Sequence, residues 1–303
     1  MILAVTGATG FVGKRLLDQA LAGGHRVRAL ARRPQQPRDG VEWIAGDLEN
    51  RAALAELIRG ADAVIHVAGV VNAPDLGDFV TGNIAGTRAV LRETRAAKVR
   101  RFVHVSSLAA REPGLSHYGW SKAEAERLVA ASPLDWVAVR PPAVYGPGDR
   151  DMLDLFRTAR LGLAPALAGR FSAIHVDDLA RLLLVLAAGG PRRVVFEVDD
   201  GSGDRHGPGL SHAGFARAIG TAIGRRVLPI PVPGALLALA ARGDRWWRGD
   251  RARLTPDRVG YLRHPDWTVA ATRRPPAELW RPRIALRDGL AETARWYREH
   301  GLL

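Results

Sequence analysis

The chain has 303 residues, 47% hydrophobic and 25% charged, with no cysteine: room for one large domain and a smaller lobe, and no disulfides or thiolate metal sites. Its net charge is +13, yet all but three of the 44 basic residues are arginines scattered without aromatic interleaving; this reads as solvated surface, not a nucleic-acid site. No basic-then-apolar leader and no apolar run of about 18 residues is found, so the expectation is a cytoplasmic protein without a membrane span.

Ile2-Leu3-Ala4-Val5 is a short apolar run of the buried parallel-strand type. Thr6-Gly7-Ala8-Thr9-Gly10-Phe11-Val12-Gly13 follows, and then an amphipathic helix over 14–22. Strand, glycine turn and helix together present bare N–H groups and a helix N-terminus to an anion. Gly7 permits the sharp turn, Gly10 the approach of a pyrophosphate, and Gly13 the close helix packing. A second strand over 26–30 leads to Arg32 and Arg33. An acidic residue there would take ribose hydroxyls, whereas arginine suits a 2′-phosphate, so NADP(H) is favoured over NAD(H). Two solvated arginines are the alternative.

Residues 41–45 read as the third strand. Asp47 or Asn50 then caps a helix running to residue 59. Residues 63–67 are the fourth strand, and a long helix spans 78–97. His66 is read as a packed strand residue, not a base. The fifth strand, 101–105, ends in Ser106-Ser107, at the sheet edge where open α/β folds bind ligands. Tyr118 follows Ser107 by eleven residues, with Lys122 four further on, so Tyr118 and Lys122 share one helix face. A phenol of pKa about 10 is a poor base at neutral pH, and a neighbouring ammonium lowers it. A serine hydroxyl can hold the substrate oxygen while the tyrosine moves its proton. His117 points elsewhere and is surface.

These motifs together resemble the short-chain dehydrogenase/reductase superfamily, and TGATGFVG looks like its extended, epimerase/dehydratase-like branch. The segments Asn83-Ile84-Ala85-Gly86-Thr87, Arg140-Pro141-Pro142-Ala143-Val144-Tyr145-Gly146-Pro147-Gly148-Asp149 and His175-Val176-Asp177-Asp178-Leu179-Ala180 carry the likeness further. The resemblance implies a Rossmann-type α/β fold, a doubly wound, mainly parallel sheet with a smaller C-terminal substrate lobe. The first domain is residues 1–150 and the lobe mainly 151–303, with 172–198 returning to the sheet. It implies catalysis by Ser107, Tyr118 and Lys122, with Ser107 preferred to Ser106. The dinucleotide would be held by Thr6, Gly7, Thr9, Gly10, Phe11, Val12, Gly13, Arg32, Arg33, Asp47, Leu48, Val67, Ala68, Gly69, Tyr118, Lys122, Pro141, Ala143 and Val144. Asn83 is read as bridging backbone near the site, and a homodimer is implied.

The function expected is hydride transfer between a nicotinamide and a carbonyl or alcohol carbon of a small molecule. A nucleotide-sugar epimerase or dehydratase with recycled NAD is the alternative, and a dinucleotide-binding sensor without chemistry the third. No metal is expected: Asp177 and Asp178 read as helix-start caps. A strand over 194–198 precedes a mobile polar loop over 199–210. Beyond it lies an apolar helix over 234–241, followed by Arg242-Gly243-Asp244-Arg245-Trp246-Trp247-Arg248. The tryptophans are read as lining a substrate pocket, ahead of a membrane-surface or partner patch. A last helix, 286–300, shows a core stripe at Leu290, Ala294 and Tyr297.

Overall fold

The structure is a computed structural model, and it describes all residues but Arg205, His206, Asp250, Arg251 and Arg253; of Arg245 it describes the backbone alone. The chain folds as two units, each assembled from separate stretches of sequence. One is Met1–Arg140, Leu179–Phe196 and Pro275–Trp280; the other is Pro141–Asp178, Glu197–Arg274 and Arg281–Leu303.

The first unit carries β1 (Ile2–Thr6), α1 (Phe11–Ala22), β2 (Arg26–Ala31), β3 (Val41–Ala45), α2 (Arg51–Ile58), β4 (Ala63–His66), α3 (Leu76–Phe79), α4 (Gly86–Ala96), β5 (Arg101–Val105), α5 (His117–Ala130) and β6 (Asp135–Arg140). β1 is buried along nearly its whole length, as its unbroken apolar run requires of a strand covered on both faces. α1 buries Gly13, Leu16, Leu17 and Ala20, a helical stripe. α2 starts where Asn50 accepts from the Ala53 N–H at 3.0 Å, and α5 where Ser116 accepts from Gly119 at 3.0 Å. Asp47 holds the preceding turn through the N–H groups of Glu49 and Asn50. Leu54, Leu57, Val64, Val90, Phe102 and Val129 anchor the core.

The helix expected over 78–97 is interrupted. Residues Val80–Ala85 form a π-turn between α3 and α4. It goes with a long-range contact: Asn83 uses its side-chain amide on the Val70 backbone, thirteen residues away, donating to the carbonyl and accepting from the N–H. Such turns cluster at functional sites.

The second unit begins with β7 (Ala143–Tyr145), α6 (Leu153–Arg160), β8 (Leu163–Ala166), β9 (Arg170–Phe171) and β10 (Ala173–His175). The unit boundary falls inside α7 (Val176–Ala188), and β11 (Val194–Glu197) follows. The seven-stranded sheet has the order β11-β6-β5-β4-β1-β2-β3. From β6 across to β3 every neighbouring pair is parallel, the strand order of a doubly wound Rossmann sheet. β10 instead pairs with β7 in a separate ladder.

The stretch expected as a loop over 199–210 contains β12 (Gly203–Asp204), β13 (Gly207–Pro208) and the start of β14 (Leu210–Ser211). Arg205 and His206 of that stretch lie outside the described residues. α8 (His212–Ile223), β15 (Leu228–Pro231), α9 (Gly234–Arg248), α10 (Pro256–Leu262), β16 (Asp266–Trp267) and α11 (Leu286–Glu299) complete the chain. α11 buries Leu290, Ala294 and Tyr297. Asp177 and Asp178 stand in the first turn of α7, and the Asp178 carboxylate also accepts from the N–H groups of Arg283 and Ile284, both at 2.9 Å. Trp246 and Trp247, expected to line a pocket, are 90% and 81% exposed.

Candidate active site

Register brings the functional segments to one edge of the first unit. Thr6 pairs with His66 and His66 with His104, so β1, β4 and β5 end level. The turns that leave these strands carry Gly7 to Gly13, Val67 to Gly69, and Ser106-Ser107.

The glycine turn is built for close approach. Gly7 has φ +73°, and a Cβ there would stand 2.5 Å from the Ala68 nitrogen. A Cβ on Gly13 would collide with the Gly7 carbonyl. Gly10 is the N-cap of α1 and offers no side-chain cap, so the first N–H groups of the helix have no side-chain acceptor. Thr9 and Gly10 are exposed at the turn, and Phe11 and Val12 half-buried. This cradle fits a dinucleotide pyrophosphate, which bare amides and the helix dipole stabilise. Thr6 is buried behind it, hydrogen-bonded to His66 Nδ1 at 2.6 Å and accepting from the Ala68 N–H.

The serine, tyrosine and lysine form one cluster. Tyr118 and Ser107 share a side-chain hydrogen bond. Ser107 Oγ also accepts from the Ala109 N–H at 3.2 Å. Ser106 is differently employed: its hydroxyl donates to Glu126 Oε1 at 2.5 Å. Glu126 is held in turn by a two-pronged contact from Arg140, at 2.8 and 2.6 Å. The phenol is flanked by Phe79, with ring centroids 6.3 Å apart.

Asn83 donates to Ser121 Oγ at 2.8 Å, and Ser121 donates to the Tyr118 carbonyl at 2.8 Å. The π-turn thus fixes the first turn of α5 and, with it, the tyrosine. Lys122 is 5% exposed and its Nζ donates to the Val105 carbonyl at 2.7 Å.

Burial sets the protonation states. It pushes the Tyr118 phenol up, opposed by the bond with Ser107. The sequence reading has Lys122 lowering this group; in the structure the opposition named is the bond with Ser107, and one of the three Lys122 donors is used on Val105. Lys122 is itself pulled down to about 8 by burial, against the pull of Glu126. His66 is driven down to about 3, by burial and then by Lys122. His104, stacked on His66 with centroids 5.5 Å apart, falls well below its usual value by burial, with Lys122 and His66 adding to it. Both imidazoles are neutral at pH 7, so Lys122 is the cation of this buried group. The pairing of His66 with His104 went unread in the sequence; two histidines at matching positions of neighbouring strands were the available signal.

A comparison with known proteins now decides the family. The profile described as NAD(P)H-binding matches residues 7–184. The chain belongs to the NAD(P)H-binding, extended short-chain dehydrogenase/reductase family. The ceramide reductase of Caulobacter vibrioides is 39% identical over 314 aligned positions, covering 100% of this chain and 96% of the relative. MoeE5, solved with UDP-glucose and NAD, superposes with TM-score 0.72 at 25% identity, covering 99% of each chain. The dTDP-glucose 4,6-dehydratase DesIV of Streptomyces venezuelae, solved with NAD, gives 0.73 at 22% and covers 100% of both, a likeness of fold. This family member is thus an NAD(P)-dependent oxidoreductase/epimerase-type enzyme, performing hydride-transfer chemistry on a small molecule.

The cofactor preference is corrected. Six solved structures similar to this family member hold NAD, and NAD(H) replaces the NADP(H) expected above. Arg32 and Arg33 are both exposed in the loop beyond β2, in a chain where arginine decorates the surface throughout. Asp47 is exposed, and half-buried Leu48 lies against Gly86. Pro141, Ala143 and Val144 belong to the second unit, where β7 pairs with β10.

Proposed function

We propose that this chain is an NAD(H)-dependent ketone reductase acting on a ceramide-type lipid. The observation that carries the reading is the hydrogen bond between Tyr118 and Ser107 at the end of β5: a protonated phenol so placed can give its proton to a ketone oxygen that the serine hydroxyl holds. In this reading Ser107 orients that oxygen, and Lys122 holds the cofactor ribose and supplies positive charge beneath it. The nicotinamide, when bound, supplies the hydride. Thr6, Gly7, Thr9, Gly10, Phe11, Val12 and Gly13 would cradle the dinucleotide, with Asp47, Leu48, Val67, Ala68 and Gly69 around its adenosine and nicotinamide halves, and Pro141, Ala143 and Val144 along the nicotinamide. The substrate class rests on the full-length similarity to the Caulobacter ceramide reductase. A homodimer through α4 and α5 belongs to the same proposal.

A second reading has its own support. The solved structures of MoeE5 bound to NAD with UDP-glucuronic acid or UDP-glucose favour an epimerase or dehydratase that recycles its NAD. One experiment separates the two. The protein is purified and denatured, the released nucleotide identified, and NADH consumption followed with a ceramide-type ketone. Little retained nucleotide and lipid-dependent NADH oxidation are expected. Stoichiometric retained NAD, with no net NADH consumption, would replace the reductase by the recycling enzyme.

A further inference from the structure

α9 has two unlike faces. Leu237 and Ala241 turn inward onto Val259, and the three are 9%, 1% and 5% exposed. On the other side Leu236, Leu239, Trp246 and Trp247 are 56%, 64%, 90% and 81% exposed. With 3.6 residues per turn, these four positions and Gly243 between them fall in one arc along the helix. Val232-Pro233 joins α9 directly to β15, where Leu228 and Ile230 are 62% and 41% exposed. β15 pairs with β8, which sets Leu228 beside the half-exposed Leu163. Scattered exposed leucines need no explanation, but an apolar stripe that ends in paired tryptophans does.

In sequence the end of α9 and the residues after it are mainly basic. Arg242, Arg245, Arg248, Arg251 and Arg253 stand against Asp244 and Asp250 in this stretch. Arg242 is exposed at the flank of the stripe, and Arg248 is exposed at the same end of the helix. Asp244 is engaged by Arg248 at 3.1 Å and by the Leu254 N–H at 2.9 Å. A second copy of the chain would bring like charges together on this face. An anionic lipid surface would complement it, and the net charge of +13 would attract the whole molecule there.

We propose that the exposed face of α9 docks on an anionic phospholipid surface. The helix lies in the plane of the interface, leucines toward the acyl chains, tryptophans at headgroup level and arginines on the phosphates. The proposal stands on the face itself and does not require the lipid-ketone reading.

The test uses the full chain with vesicles of phosphatidylcholine alone or with phosphatidylglycerol added, read by flotation. Binding to the anionic vesicles is expected, weakening as salt rises. A Trp246→Ser/Trp247→Ser variant should bind about tenfold more weakly, with its thermal midpoint and NADH affinity unchanged. A Trp246→Phe/Trp247→Phe variant should still bind, while brominated lipid quenches its tryptophan fluorescence less than in the parent. The proposal is overturned by absence of flotation, by equal binding of the serine variant, or by equal quenching in the parent and the phenylalanine variant. A dimer that the serine variant dissociates would also overturn it, and would name a second copy as the occupant.

Discussion

Lys122 is 5% exposed and Trp246 is 90% exposed. The edge of the Rossmann sheet keeps a cation inside, and α9 keeps its largest aromatics outside. Both invert the usual distribution of charged and apolar residues. The two inversions are maintained differently. Inside, Lys122 is answered by the Val105 carbonyl, Asn83 by Val70 and Ser121, and Ser106 by Glu126. Outside, the described contacts give Trp246 and Trp247 no such partners. An inversion held by a network is tied to the fold, whereas one left open on a surface is tied to what the surface meets.

The largest expected effect breaks the first region at its chemical centre. Tyr118→Phe removes the proton donor and little volume, so turnover with NADH and a ketone substrate should fall about 10²–10⁴-fold. Cofactor affinity, read by fluorescence titration, should stay within about twofold. Wild-type turnover in this variant would remove Tyr118 from the chemistry.

Lys122→Met sharpens the contrast, because it trades function for stability. A lysine whose folded pKa is about 8, against 10.5 unfolded, is costly to keep charged in the folded state. Its linked contribution to stability is present above pH 10.5 and lost as pH falls through about 8. At pH 7 the methionine variant should therefore be more stable by about 2 kcal/mol, after the lost bond to Val105 is counted. Denaturant titrations at pH 7 and 10.5 should show that gain shrinking as the pH rises, while turnover drops at both.

The adjacent serines should separate two kinds of loss. Ser107→Ala should lower kcat by about 10–100-fold with little change in thermal midpoint. Ser106→Ala leaves the Glu126–Arg140 pair intact but takes away one buried donor, and should cost about 1–2 kcal/mol in denaturant unfolding. A stability loss in the Ser107 variant equal to that of Ser106 would erase the distinction. The smallest effect belongs to the outer region: replacing both tryptophans by serine should change unfolding free energy by less than about 0.5 kcal/mol.

The sequence determined the alternation of strand and helix, the glycine turn, and the grouping of Ser107, Tyr118 and Lys122, because these rest on local spacing. A Y-x-x-x-K pair lies on one helix face in any α-helix, and a G-x-x-G-x-x-G turn after an apolar strand has few other uses. Tertiary structure alone decided what each group does beyond its spacing. Long-range contacts bent the helix at Asn83, gave Ser106 to Glu126, and turned Lys122 to Val105, a partner seventeen residues away. Burial, a property of the whole fold, set the protonation of Tyr118 and of the two histidines. The outward face of α9 followed from the same cause: Leu237 and Ala241 pack on Val259, and a helix that commits one face to a core leaves the opposite face to solvent.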